Sequence, residues 1–173
     1  MLTITSALQR TLQVRGSSIA THHNGLERSW KELVDRISRL ASALKNCGAE
    51  RGSRIACLAL NSDRYYEYYL ATSWAGCTFV PVNTRLAAPE VVYWQTDSAS
   101  QILLIDDHFL PMLPEIRSQL VSINTVVYMG DGETPEGCSN YETLITDSSP
   151  VSPVDVSSED IAGLFYTGGT TGR

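Results

Sequence analysis

The chain has 173 residues, 43% of them hydrophobic and 18% charged, which fits one globular domain with one main core. A folded chain of this length hides roughly 70% of the surface its unfolded form exposes, so it needs no disulfide or metal staple; collagen and wholesale disorder are excluded. The balance of 13 basic against 19 acidic residues gives −6, the wrong sign for a protein that neutralises nucleic-acid phosphates, so no nucleic-acid partner is expected.

Cys47, Cys57, Cys77 and Cys138 are scattered and form no C-x-x-C pair, so they read as reduced, mostly buried thiols, and no metal site is expected. The best apolar stretch, Leu70 to Val82, is interrupted by Thr72, Ser73 and Thr78, so no membrane span is expected. Before Glu27 the chain carries two arginines and no acid, as a mitochondrial presequence could. An amphipathic first helix ending near Gly16, in a cytoplasmic protein, is the preferred reading.

In chain order, an alternating stretch from Ile19 to Ser29 turns at Asn24-Gly25, a dipeptide that tolerates the two positive φ angles of a type I′ hairpin. Ser29 with Glu32 forms a capping box, and Leu33, Val34, Ile37, Leu40, Ala41 and Leu44 recur at helical spacing up to Gly48. Arg54 to Leu60 is a short apolar run, as expected for a parallel strand covered on both faces. A helix from about Asp63 to Ala75 and a strand Thr78 to Val82 complete one crossover unit. A short helix after Pro89 runs towards Asp97. Strand Gln101 to Ile105, a helical stretch His108 to Leu120 and strand Thr125 to Met129 form a second unit.

Residues 130–158 are turn-rich, with Pro150 and Pro153 set among serines near the end, and read as a linker region. A last strand, Asp160 to Tyr166, then enters Thr167-Gly168-Gly169-Thr170-Thr171-Gly172-Arg173. Three glycines and three threonines after a strand can turn successive backbone N–H groups inward and add hydroxyl donors, a concave site suited to phosphate. The run is neither a Walker A loop, which needs a lysine, nor G-x-G-x-x-G. A polar terminal tail is the bland alternative.

The terminal YTGGTTGR resembles the signature of the adenylate-forming enzymes, which include acyl-CoA synthetases, luciferases and the adenylation domains of peptide synthetases. Tyr166 to Gly172 match the family's loop around the β and γ phosphates of ATP position by position. GCTFVPVNTRLAAPE, from Gly76 to Glu90, is similar to the fatty-acid and related carboxylate–CoA ligases. The resemblance implies that Thr167, Gly168, Gly169, Thr170, Thr171 and Gly172 bind ATP phosphates. It also implies Mg²⁺ as cofactor, CoA as co-substrate and a carboxylic acid as the group activated. The Pro-Lys-Gly expected after Arg173 is absent, with every later motif. No catalytic residue is therefore expected in these 173 residues, which resemble the first third of such an enzyme and should be inactive alone.

Other residues read as structural. Tyr66, Leu70 and Trp74 share one helical stripe, and Tyr65 with Tyr68 another, so the tyrosines are assigned to packing. Asp106, Asp107 and His108 suit a helix N-cap at a strand's carboxyl end. His22 and His23 face opposite sides of a strand, so they are read as polar surface residues and joint ligation of a metal is not expected. Lys31 and Lys45, the only lysines, suit a solvated helix face.

The expected architecture is α/β, a mainly parallel sheet flanked by helices and preceded by an N-terminal helix and a small hairpin. Its divisions are 1–129 as an α/β unit, 130–158 as linker, and 159–173 as strand plus phosphate loop, together part of a larger N-terminal domain. An uncovered sheet edge should drive self-association as a homodimer. The alternative function is a freestanding receiver-like signalling module with Asp106 and Asp107 as its acidic site.

Overall fold

The computed structural model describes residues 3–119 and 123–167. Helix α1 (Ile4–Arg15) starts at a Thr3 cap and precedes a two-stranded antiparallel hairpin, β1 (Ile19–His23) and β2 (Leu26–Ser29). Asn24 at φ 50° and Gly25 at φ 80° make the expected turn. Helix α2 (Trp30–Asn46) opens on the expected box: the Glu32 carboxylate accepts from the Ser29 N–H at 2.7 Å, and the Glu32 N–H donates to Ser29 Oγ at 3.3 Å.

The remaining elements build a three-layer α/β unit: β3 (Arg54–Leu58), α3 (Asp63–Trp74), β4 (Thr78–Pro81), α4 (Ala88–Ser98) and β5 (Ile102–Ile105). A short 3-10 turn at Leu110–Met112, α5 (Leu113–Gln119), β6 (Thr125–Tyr128), β7 (Ser139–Asn140) and α6 (Tyr141–Asp147) follow. Five strands lie in the order β4-β3-β5-β6-β7, all parallel, with Ile55 opposite both Phe79 and Ile102. Period-two alternation splits the apolar runs between two cores. Ile55, Cys57, Ile102 and Leu104 pack with α2, α3 and α6; Ala56, Leu58, Leu103 and Ile105 pack with α4 and α5. This double coverage is why RIACL and ILLI are apolar without interruption.

Three expectations need correction. The 130–158 segment is not wholly linker: it supplies β7 and α6, whose Tyr141 is 1% exposed and sits in the first core. The last strand, Asp160 to Tyr166, reduces to one parallel bridge between Gly163 and Phe79, because only Ala162 and Leu164 exchange backbone hydrogen bonds with β4. Tyr66 leaves the packing stripe and is 40% exposed, while Leu70 and Trp74 stay buried. Among the described residues no helix is long and apolar enough to cross a membrane.

Candidate phosphate-binding site

The approach to the terminal run is fixed residue by residue. The Asp160 carboxylate accepts from the Ser157 N–H at 2.6 Å and pairs with Arg51 at 2.7 Å. Thr78 Oγ1 then donates to the Ile161 carbonyl at 2.8 Å. The Phe79 N–H donates to Ala162 O at 3.0 Å, and the Leu164 N–H donates to Phe79 O at 2.9 Å. Gly163 between them lies under the Phe79 ring, where an added Cβ would stand 2.0 Å from Cε2, so only glycine allows this approach.

Past Gly163 the side chains divide. Phe165 meets Phe79 edge to face at 5.7 Å. Tyr166 turns to the other core, stacks on Trp94 with ring centroids 4.6 Å apart and planes 21° apart, and donates its hydroxyl to Asp97 Oδ2 at 2.6 Å. Burial, reinforced by the Asp97 carboxylate, pushes the Tyr166 phenol up to about 12, so it stays a donor at neutral pH. Thr167 follows and is exposed. Gly168, Gly169, Thr170, Thr171 and Gly172 lie outside the described residues. The sequence offered no signal for Trp94, Asp97 or Gly163, because their partners lie on elements distant in the chain.

A second candidate lies where strand order reverses. The chain leaves β3 first to β4 on one side and then to β5 on the other, and such switch points are where open α/β sheets bind ligands. A cavity of about 580 Å³ opens there, among Leu60, Asn61, Arg64, Asp106, Asp107 and Asp131. Its charges are already engaged. Asp106 accepts from the His108 and Phe109 N–H groups at 3.1 and 3.2 Å and from the Leu60 N–H at 2.7 Å; it closes a turn and is not the helix N-cap expected, since the helical turn at Leu110–Met112 is preceded by Phe109 with no side-chain cap. Asp107 accepts from the Tyr128 hydroxyl and from the Asp131 N–H at 2.9 Å, and Arg64 pairs with Asp131 at 2.8 Å. Two carboxylates spent on loop closure are poorly placed to accept a phosphoryl group.

The family described as AMP-binding enzyme matches residues 8–173. The chain belongs to that family. It is 32% identical to the medium-chain-fatty-acid–CoA ligase of Ectopseudomonas oleovorans over 183 residues, covering 99% of this chain and 33% of that ligase. Against the long-chain-fatty-acid–CoA ligase of Thermus thermophilus the identity is 33% over 144 residues, covering 83% of this chain and 26% of the ligase. Among solved structures, the anthranilate CoA ligase AuaEII in complex with anthranoyl-AMP matches with a TM-score of 0.93 and 27% identity, over 99% of this chain and 33% of that one. ATP-bound MatB from Rhodopseudomonas palustris matches at 0.82 and 29%, over 98% and 33%.

The chain thus spans about a third of the length of the relatives it matches. Among its described residues, no group of three or more His, Cys, Asp or Glu side chains could hold a metal ion.

Proposed function

We propose that this AMP-binding family chain is the N-terminal part of an acid–CoA ligase and that Thr167 to Gly172 bind the phosphates of ATP. A carboxylate is a poor electrophile. In such a ligase its oxygen attacks the α-phosphorus, the bond to the bridging oxygen breaks, and pyrophosphate leaves with the electron pair. The CoA thiolate then attacks the acyl carbon and AMP departs. Within that sequence Gly168, Gly169 and Gly172 let backbone N–H groups approach the leaving pyrophosphate, and Thr167, Thr170 and Thr171 donate hydroxyl hydrogen bonds to it. The 173 residues bind and orient phosphates without completing either half-reaction.

The observation that carries this reading is the YTGGTTG run, entered from a segment pinned to the sheet edge at Phe79 and Gly163 within a chain matched to the family along 8–173. Calorimetric titration of the chain with magnesium ATP tests it. Binding is expected, and Thr170→Ala combined with Thr171→Ala abolishes it without moving the thermal unfolding midpoint. Absence of binding, or equal binding by the double variant, overturns the assignment.

The same reading supplies ATP, a carboxylic acid and CoA as partners, in the cytoplasm, where the four free thiols of Cys47, Cys57, Cys77 and Cys138 stay reduced. Ile161 and Phe165, 63% and 67% exposed beside the β4 edge, support self-association as a two-fold dimer. Light scattering at tens of micromolar should return twice the monomer mass; the monomer mass refutes it.

A further inference from the structure

We propose that Trp94 and Asp97 form a clamp on Tyr166 and act as positioning residues for Thr167, an inference that rests on the phosphate reading above. The geometry is two-sided. The Trp94 indole fixes the plane of the Tyr166 ring at 4.6 Å, and Asp97, one helical turn further along α4, accepts its hydroxyl at 2.6 Å and so sets how far the ring slides. An aromatic face alone would leave the ring free to translate, and a hydrogen bond alone would leave it free to tilt; together they fix both.

The clamp matters because of what lies on either side of it. Upstream, the last backbone hydrogen bond to the sheet is that of the Leu164 N–H, so residues 165 to 167 have no strand to hold them. Phe165 is 67% exposed and Thr167 is exposed as well, which leaves Tyr166 as the last anchored side chain before the run. Below it, a cavity of about 430 Å³ lined by Arg54, Asp97, Ser98, Leu164, Phe165 and Tyr166 leaves room for the segment to shift if the stack is lost. A donor site for phosphate works through preorganisation, so a displaced Thr167 weakens ligand binding without unfolding the domain.

The test uses the 173-residue chain, inorganic tripolyphosphate as probe, and the backbone amide of Thr167 followed by NMR. In the wild type the probe shifts the Thr167 resonance. In Trp94→Ala and Asp97→Ala the Thr167 order parameter drops and tripolyphosphate binds about fivefold or more weakly, the worth of about one hydrogen bond. Trp94→Phe, which keeps a ring to stack, and Asp97→Asn, which keeps an acceptor, restore most of the affinity. All four variants should keep the thermal midpoint within a few degrees, which a merely structural role would not. If the wild type binds the probe and the alanine variants match it in order and affinity, the clamp is refuted while the phosphate reading stands. If the wild type binds no polyphosphate, the phosphate reading fails and the clamp with it.

Discussion

Arg36 on α2 grips Glu67 on α3 with two parallel hydrogen bonds, Nε to Oε1 at 2.6 Å and Nη2 to Oε2 at 2.9 Å, and the glutamate side chain is 1% exposed. The same guanidinium reaches Glu142 on α6 at 2.8 and 3.1 Å, while Tyr141 donates its hydroxyl to Glu67 at 2.8 Å. One cation therefore ties three helices over the first core. Taking away one member of a buried pair strands the other, so Arg36→Ala should cost about 3 kcal/mol in urea unfolding. A loss under about 1 kcal/mol would mean that water satisfies Glu67 unaided.

This network governs acid stability. Burial by itself opposes ionisation of Glu142, but Arg36 and Arg64 more than reverse that and hold its carboxyl below the ordinary range. Asp63 behaves alike: burial opposes its charge, and Arg28 prevails. Both groups bind protons less readily folded than unfolded, so their stabilisation is complete above the unfolded-chain values and disappears as acid protonates the folded state. The urea midpoint should decline as pH is taken from about 5.5 to about 3, and Glu142→Gln should flatten that decline. An unchanged slope in the variant would remove Glu142 from the account.

How much of this was legible in the sequence depends on range. Asn24-Gly25, the Ser29–Glu32 box and the runs RIACL and ILLI carry their instructions within a few residues, and each element forms where expected. The Arg36–Glu142 contact spans 106 positions, and no local pattern announces it. Helix α6 was hidden because seven residues bearing only Tyr141 and Ile145 as buried positions cannot display a helical period. The terminal run is read from its residue types alone and stands as the proposed phosphate site, while the Trp94 stack that precedes it depends on tertiary placement alone.

The thiols should separate by depth. Burial, with the Asp106 charge adding to it, pushes Cys57 well above the ordinary thiol range, and burial raises Cys77 to about 11 against the pull of Lys45. Only thiolate attacks a disulfide reagent, so at pH about 8 these two should stay unlabelled in the folded chain and react on unfolding in guanidinium. Rapid labelling of Cys57 in the native chain would show that the first core opens locally.

Tyr68 bridges β3 and β4 from beneath: its hydroxyl donates to Ile55 O at 2.7 Å and accepts from the Val80 N–H at 2.8 Å, in a fully buried site. Tyr68→Phe keeps the ring and strands both backbone groups, so it should cost about 1–3 kcal/mol. Tyr66→Phe on the same helix removes a hydroxyl from a ring that is 40% exposed and should change stability by less than about 0.5 kcal/mol. Equal effects from the two variants would contradict the bridging role.

The pairing of Gly163 with Phe79 can be tested by moving the space rather than removing the contact. In Gly163→Ala the new methyl would meet the ring at 2.0 Å, so either the ring rotates out of the first core or the segment lifts from β4 and loses the bonds of Ala162 and Leu164. Either route should cost about 1–3 kcal/mol as overpacking. Phe79→Leu on its own loses the ring's contacts with Tyr69 and Phe165, and is destabilising too. Combined with Gly163→Ala it frees the volume that the methyl needs, so the double variant should be more stable than the sum of the single losses by about 1 kcal/mol. Additive losses would mean that the alanine lifts the segment whatever the ring does, and that Phe79 does not set the requirement for glycine.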